Sequence, residues 1–196
     1  MKRIILSLIL LITTLMSNTL NDTTQSIIKI FNTKATPNYL NPWQTSKIAK
    51  YIGSGAIIKD NQILTAAHVV GNAKVITIKK ENDPKKYYAK IKHISHQADL
   101  ALLEVDDKNF FNNTKPLKLS TDVKVRDEVT VVGYPLGGKN VSTTTGVISR
   151  IERQYYVYSA EKLLAIQIDA AINSGNSGGA VVNNKNELVG IAMMKK

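Results

Sequence analysis

Three positions carry side chains that together could perform nucleophilic catalysis. Ser177 sits in the run Asn173-Ser174-Gly175-Asn176-Ser177-Gly178-Gly179, with glycines on both sides of the hydroxyl. A nucleophile must project from a tight turn whose backbone N–H groups stay exposed. Residues without Cβ allow the unusual backbone angles and the close approach of a substrate carbonyl. His68 lies in Leu64-Thr65-Ala66-Ala67-His68-Val69-Val70, at the end of a strand-like run, where the alanines leave room for neighbours to orient the ring. Asp99 opens the apolar run Ala98-Asp99-Leu100-Ala101-Leu102-Leu103. A carboxylate among leucines is costly unless it is hydrogen-bonded or paired, and orienting an imidazole would meet that need. Each signal alone is compatible with a plain Gly/Ser loop, a core histidine or a turn aspartate. Together they supply a nucleophile, a base with a mobile proton and an acid that fixes its tautomer.

Competing chemistries lack the residues. The chain has no cysteine, which excludes thiol catalysis, disulfides and Cys-rich zinc sites. His93, His96 and Asp99 form a poor metal triplet for one strand-to-loop region, since catalytic zinc gathers three convergent ligands and a second shell. No cofactor and no metal is expected.

The elements that must place these residues read as short strands. Gly55–Ile58, Ile63–Thr65, Lys74–Ile78, Tyr87–Ile91 and Leu100–Val105 are separated by turn residues at Asp60-Asn61, Gly71-Asn72 and Asn82-Asp83-Pro84. A polar connection from Asp106 to Lys115 leads to a second set at Val129–Gly133, Thr143–Ile151, Leu163–Asp169, Ala180–Asn183 and Leu188–Met193. Two groups of strands imply two β modules, residues 47–112 with His68 and Asp99 and residues 113–196 with Ser177. The site would lie in the cleft between them. No long helical period, heptad or repeat appears.

Ahead of the strands, Met1-Lys2-Arg3 precedes an apolar stretch from Ile4 to Met16, the layout of a secretory signal over residues 1–20. The stretch is broken by Thr13 and Thr14 and falls short of the about 20 apolar residues a spanning helix needs. Cleavage after Ser17 or a little later, with no lasting membrane span, is the expectation. Residues 21–46, rich in Asn and Thr, read as an extended lead-in. The net charge of +11 invites a nucleic-acid partner. The cations are mostly lysines scattered singly, however, with only Arg3, Arg126, Arg150 and Arg153 as arginines, which describes a solvated basic surface and no nucleic-acid site.

The order His, Asp, Ser along the chain is that of the chymotrypsin class and differs from the order of the α/β-hydrolases. Gly53-Ser54-Gly55-Ala56-Ile57-Ile58, Thr65-Ala66-Ala67-His68-Val69-Val70, Ala98 to Leu103, Val132-Gly133-Tyr134-Pro135, Thr145-Gly146-Val147-Ile148-Ser149 and Gln167 to Gly179 together resemble the HtrA/Deg branch of the trypsin-like serine proteases. The resemblance spans about residues 51–194. It implies an all-β chymotrypsin-like double β-barrel and peptide-bond hydrolysis by a serine endopeptidase of the cell envelope, periplasmic or secreted, acting on unfolded or damaged polypeptides. It casts His68 as general base, Asp99 as its orienter and Ser177 as nucleophile, with the N–H groups of Gly175 and Ser177 forming the oxyanion hole. Ala171, six before the nucleophile, falls at the base of the specificity pocket beside Ile172. With no acid there, small or medium apolar side chains are favoured over Lys or Arg. Met193 and Met194 fall on the strand that pairs with substrate. Asn176 stands where digestive members carry the Asp that captures a new N-terminus, so no zymogen cleavage is expected, and trimer assembly would order the loop as it does in the family.

One departure stands out. The family continues after the segment ending at Met194, whereas this chain closes with Lys195-Lys196, leaving five strands in the second module where the fold has six. A second barrel lacking its last strand exposes an edge. It leaves two readings open, an active protease or a noncatalytic relative that binds peptides without cutting them.

Overall fold

The computed structural model describes residues 23–44, 47–156 and 158–193. The expected signal segment and Met194 lie outside them. Eleven strands dominate: β1 (Ile27–Lys34), β2 (Ala49–Ile58), β3 (Gln62–Ala66), β4 (Ala73–Lys80), β5 (Tyr87–Ser95), β6 (Leu100–Val105), β7 (Glu128–Gly133), β8 (Ser142–Tyr156), β9 (Glu161–Ile168), β10 (Ala180–Asn183) and β11 (Leu188–Ile191). One helical turn, α1 (Ala67–Val70), follows β3, and a short 3-10 turn covers Lys108–Phe111.

The first six strands close a barrel in the order β1-β2-β3-β6-β5-β4, every neighbouring pair antiparallel. Strict alternation sends Ala101, Leu103 and Val105 of β6 inward while Glu104 faces water. These residues meet Ile28, Ile30, Ile57, Ile63, Ile76 and Ile78 in one core, which Phe110 of the 3-10 turn plugs. Two-stranded connections are made where side-chain chemistry tolerates the left-handed region. Asp60 and Asn61 take φ of 62° and 55° between β2 and β3, and Asn72 and Asn82 do the same at later turns.

One strand of this barrel was not legible. Residues 27–34 fall in the segment read as a lead-in, yet they form β1, paired over their length with both β2 and β4. The run Ile27-Ile28-Lys29-Ile30 does alternate, but the polar stretches on either side hide it, and without β1 the barrel could not close.

The remaining strands form one sheet in the order β11-β10-β7-β8-β9. It curls over a core of Val129, Val131, Ile148, Ala170, Val181 and Ala192 without closing. The molecule is thus a chymotrypsin-like double barrel whose second barrel, among the described residues, lacks its last strand. A third cluster joins the halves, packing Ile27, Ala56 and Ile58 against Leu117, Val132, Tyr134, Ala180, Val182 and Leu188. Among the described residues no helix is long and apolar enough to cross a membrane.

Candidate functional site

His68 is placed by α1, and α1 is placed by Asp99. Ala66 and Ala67 are fully buried at the junction of β3 and α1, where larger side chains would not fit. The opening N–H groups of the turn have no helical acceptors, and Asp99 supplies them. Its carbonyl accepts from Ala67 N at 3.0 Å, and its carboxylate Oδ1 accepts from His68 N at 2.7 Å. The other oxygen, Oδ2, lies 2.6 Å from His68 Nδ1. A carboxylate there stabilises the tautomer that carries its proton on Nδ1, leaving Nε2 as the acceptor. At the far end of α1, Asn32 of β1 donates from Nδ2 to the carbonyl of Val69 at 2.8 Å, fixing the turn to the barrel wall.

Asp99 is 2% exposed and sits at φ 51°, in the left-handed region that a residue other than glycine enters at a cost. Its hydrogen bonds over-determine it. Burial pushes its carboxyl up, but the donors on His68 and Tyr156 together outweigh burial and hold it below the ordinary carboxylate value. The third donor is the phenol of Tyr156, which reaches Asp99 Oδ2 from β8 of the other half of the molecule. Tyr158 lies flat on the His68 ring, with centroids 4.7 Å apart and planes 6° from parallel.

The Ser177 loop is held to the first barrel by a seam of backbone and hydroxyl bonds. Ser54 N donates to the Ser177 carbonyl at 2.9 Å, and Ser54 Oγ donates to the Gly175 carbonyl at 2.8 Å while accepting from Tyr134 N at 2.8 Å. Thr65 Oγ1 in turn donates to the Ser54 carbonyl at 2.7 Å. Close packing makes glycine obligatory at this seam. A Cβ on Gly178, at φ 82°, would stand 2.3 Å from both the Ser54 carbonyl oxygen and Thr65 Oγ1. A Cβ on Gly53 would strike Val69 at 2.5 Å and come within 3.2 Å of the Ser177 carbonyl. Gly53 therefore brings the Ser177 loop against the turn that carries His68. Among the described residues the N–H groups of Gly175 and Ser177 meet no acceptor, while Asn176 N is tied to the Asn173 carbonyl at 3.0 Å. No hydrogen bond joins Ser177 Oγ to His68, whose bonds go to Asp99. Contacts between nucleophile and base often tighten only around bound substrate.

Beside the loop runs an open groove of 1010 Å³ between the two unclosed edges of the second sheet. Ala171, Ile172 and Met193 line it together with Ile166, Ile168 and Ile191. Thr144 Oγ1 holds the Ala171 carbonyl at 2.8 Å. The structure thus brings together His68, Asp99 and the Ser177 loop, with Ala171, Ile172 and Met193 along the adjoining groove. Among the described residues no cluster of three His, Asp or Glu side chains could hold a metal, so His93, His96 and Asp99 do not converge.

Sequence reasoning missed Asn32, Tyr156 and Tyr158. An amide at an inward position of β1 was a signal once that strand is recognised. Two tyrosines spaced by one residue, and so able to share a face, were a signal at the end of β8.

A family model described as a trypsin-like peptidase domain matches residues 53–191. The chain is 42% identical over 167 residues to the putative mitochondrial protease Do-like 3 of Arabidopsis thaliana, across 85% of this chain and 30% of that one. It is 35% identical over 153 residues to the putative chloroplastic protease Do-like 6 of the same plant, across 78% of this chain and 69% of that one. Among solved structures, the HtrA-type protease AlgW with a tripeptide superposes with a TM-score of 0.72 at 27% identity, over 90% of this chain and 53% of that one. The chain spans about a third of the length of the first relatives it matches.

Proposed function

Because the chain belongs to the trypsin-like peptidase family, as an HtrA/Deg-like protease domain, we propose that it is a serine endopeptidase in which His68, Asp99 and Ser177 form the catalytic triad. The observation that carries this reading is the His68–Asp99 pair, with Asp99 Oδ1 on the backbone of His68 and Oδ2 2.6 Å from its Nδ1. An imidazole so held carries its proton on Nδ1 and leaves Nε2 able to accept one.

In the proposed reaction Nε2 takes the proton of Ser177 Oγ as the oxygen attacks the scissile carbonyl. The oxyanion that forms is received by the N–H groups of Gly175 and Ser177, a contribution on the order of 2.7–4 kcal/mol per donor in related chemistry. His68, now an imidazolium beside the Asp99 carboxylate, gives its proton to the departing amine. Water, activated by the same imidazole, then hydrolyses the acyl-enzyme. Asp99 stays ionised throughout, consistent with its lowered pKa.

The groove supports extended, unfolded polypeptides as substrates. The β9 edge, unpaired among the described residues, offers backbone pairing, and the apolar lining at Ala171, Ile172 and Met193, with Met194 next in the chain, suits small or medium apolar side chains. Action in the cell envelope after export, on damaged proteins, and assembly as a trimer belong to this reading. Relatives named as mitochondrial and chloroplastic show that the family also works elsewhere.

A fluorophosphonate probe tests the proposal. The wild-type chain should be labelled, and Ser177→Ala, equally folded, should not. Labelled material that elutes as a monomer would remove the trimer. The open second sheet favours a second reading, a peptide-binding relative that does not cut. A folded wild-type chain that captures unfolded peptides and takes no label would establish that reading instead.

A further inference from the structure

The hairpin of β8 and β9 extends from the second sheet and meets the first barrel at the His68–Asp99 pair. There it delivers two tyrosines. The Tyr156 phenol donates to Asp99 Oδ2, the oxygen already facing His68 Nδ1, and the Tyr158 ring covers one face of the imidazole. The two rings also brace each other, with centroids 5.6 Å apart and planes inclined at 56°. We propose that Tyr156 is a positioning residue of the active centre, fixing the Asp99 carboxylate so that it fixes His68, and that Tyr158 completes a two-tyrosine clamp on the pair.

Geometry carries the assignment. A carboxylate 2% exposed retains several lone pairs that water cannot reach, and each must find a donor. His68 supplies two, from its backbone and its ring, and both belong to the first barrel. Those two hold one carboxylate oxygen each, and Oδ2 keeps a further lone pair open to a donor from elsewhere. The Tyr156 hydroxyl comes from a strand of the other half and locks the second oxygen from outside, 57 residues along the chain. Few other charges act there. The carboxylate is influenced by His68 and Tyr156, and the phenol in turn by Asp99 and Tyr158. Burial first, and then the Asp99 carboxylate, push the Tyr156 phenol far above its ordinary value, so it remains a donor wherever the protein is folded.

The clamp also couples the barrels in function. His68 and Asp99 belong to the closed barrel, whereas the hydroxyl that orders them belongs to the open sheet, whose hairpin turn is made by the Ala160 N–H on the Tyr156 carbonyl at 2.9 Å. Undocking the hairpin would release Asp99 and uncover His68 in one movement.

The role rests on the proposed triad, and the test separates the two. Tyr156→Phe keeps the ring and its packing on Tyr158 while removing only the hydroxyl. In the full chain it should keep the wild-type melting temperature within a few degrees. It should be labelled by a fluorophosphonate on the order of 10- to 100-fold more slowly, the effect of one hydrogen bond to a charged group. On a peptide substrate kcat should fall with KM unchanged. The downfield proton resonance of the His68 Nδ1–H bond to Asp99 should shift in Tyr156→Phe and, by a smaller amount, in Tyr158→Leu. Labelling at the wild-type rate with an unmoved resonance would overturn the clamp. If the wild-type chain takes no label, the protease reading fails, while the resonance still decides whether Tyr156 holds Asp99.

Discussion

The two halves of the molecule solve opposite problems. The first barrel is closed, so every strand edge is paired and its core is sealed by Phe110. Among the described residues the second sheet has five strands, with a groove between its edges. The closed half holds His68 and Asp99, which in the proposed triad need a fixed mutual geometry to within a fraction of an ångström. The second sheet holds the Ser177 loop and the groove, which in the same proposal receive the polypeptide. The seam between them, centred on Ser54, Gly53 and Gly178, lets the rigid half dictate the position of the loop in the open half.

The largest effect should come from breaking that seam. Gly178→Ala sets a methyl 2.3 Å from a backbone carbonyl and from Thr65 Oγ1, at a backbone angle that alanine resists. Backbone on one side and a buried hydroxyl on the other leave no flexible end to yield. Destabilisation of roughly 4 kcal/mol or more is expected by denaturant titration, together with loss of fluorophosphonate labelling. Wild-type stability in this variant would mean that the halves are not locked together through the loop.

Next in size is a charge placed inside the loop itself. Asn176 is 1% exposed, and its Oδ1 is buried with no hydrogen-bond partner among the described residues. Asn176→Asp would put an unpaired carboxylate there, at a cost of about 3–5 kcal/mol at neutral pH. The buried carboxyl would take a raised pKa, so the penalty should shrink as pH falls towards 5 and grow as it rises towards 8. Chemical denaturation of both forms at the two pH values checks the sign. A variant as stable as wild type at pH 8 would show that this loop rearranges to let water reach the side chain, which would make the open half softer than its packing implies.

How much of this was visible beforehand follows from what a linear pattern can encode. Ser177, His68 and Asp99 stand out in the sequence as one candidate site because their flanking glycines, alanines and leucines are local demands of the same proposed chemistry. The strands β7, β10 and β11 were legible because Val131, Val181 and Leu188 sit in short apolar runs between turn residues. Strand β1 was not, because closing a barrel is a demand made by distant partners, and Asn32 in its middle looks like loop chemistry until it is seen holding the Val69 carbonyl. The end of β8 was missed for the same reason. Its residues from Glu152 to Tyr156 alternate only weakly, and their purpose, a hydroxyl on Asp99, depends on a hairpin folding back across the whole molecule. Chemistry that is local in sequence was readable, and chemistry assembled across the two halves was not.

The smallest effect concerns the Asp99 carboxyl and has a defined pH window. The Asp99 carboxyl is held below its ordinary value of 3.8 in the folded chain. Between the folded and unfolded values the unfolded chain therefore binds more protons, and folding stability rises with pH across that interval. The Asp99 contribution should be complete above the ordinary carboxylate range and lost as pH falls through the lower folded value. Asp99→Asn removes the titrating group but keeps its shape, so the stability difference between wild type and this variant should be level above about pH 5 and narrow below about pH 4. Tyr156→Phe should narrow the same difference from the other side, because it withdraws one of the donors that lower the carboxyl. If the gap between wild type and Asp99→Asn stayed constant down to acid unfolding, the carboxylate would not be stabilised by its donors, and the rigidity assigned to the closed half would have to come from packing alone.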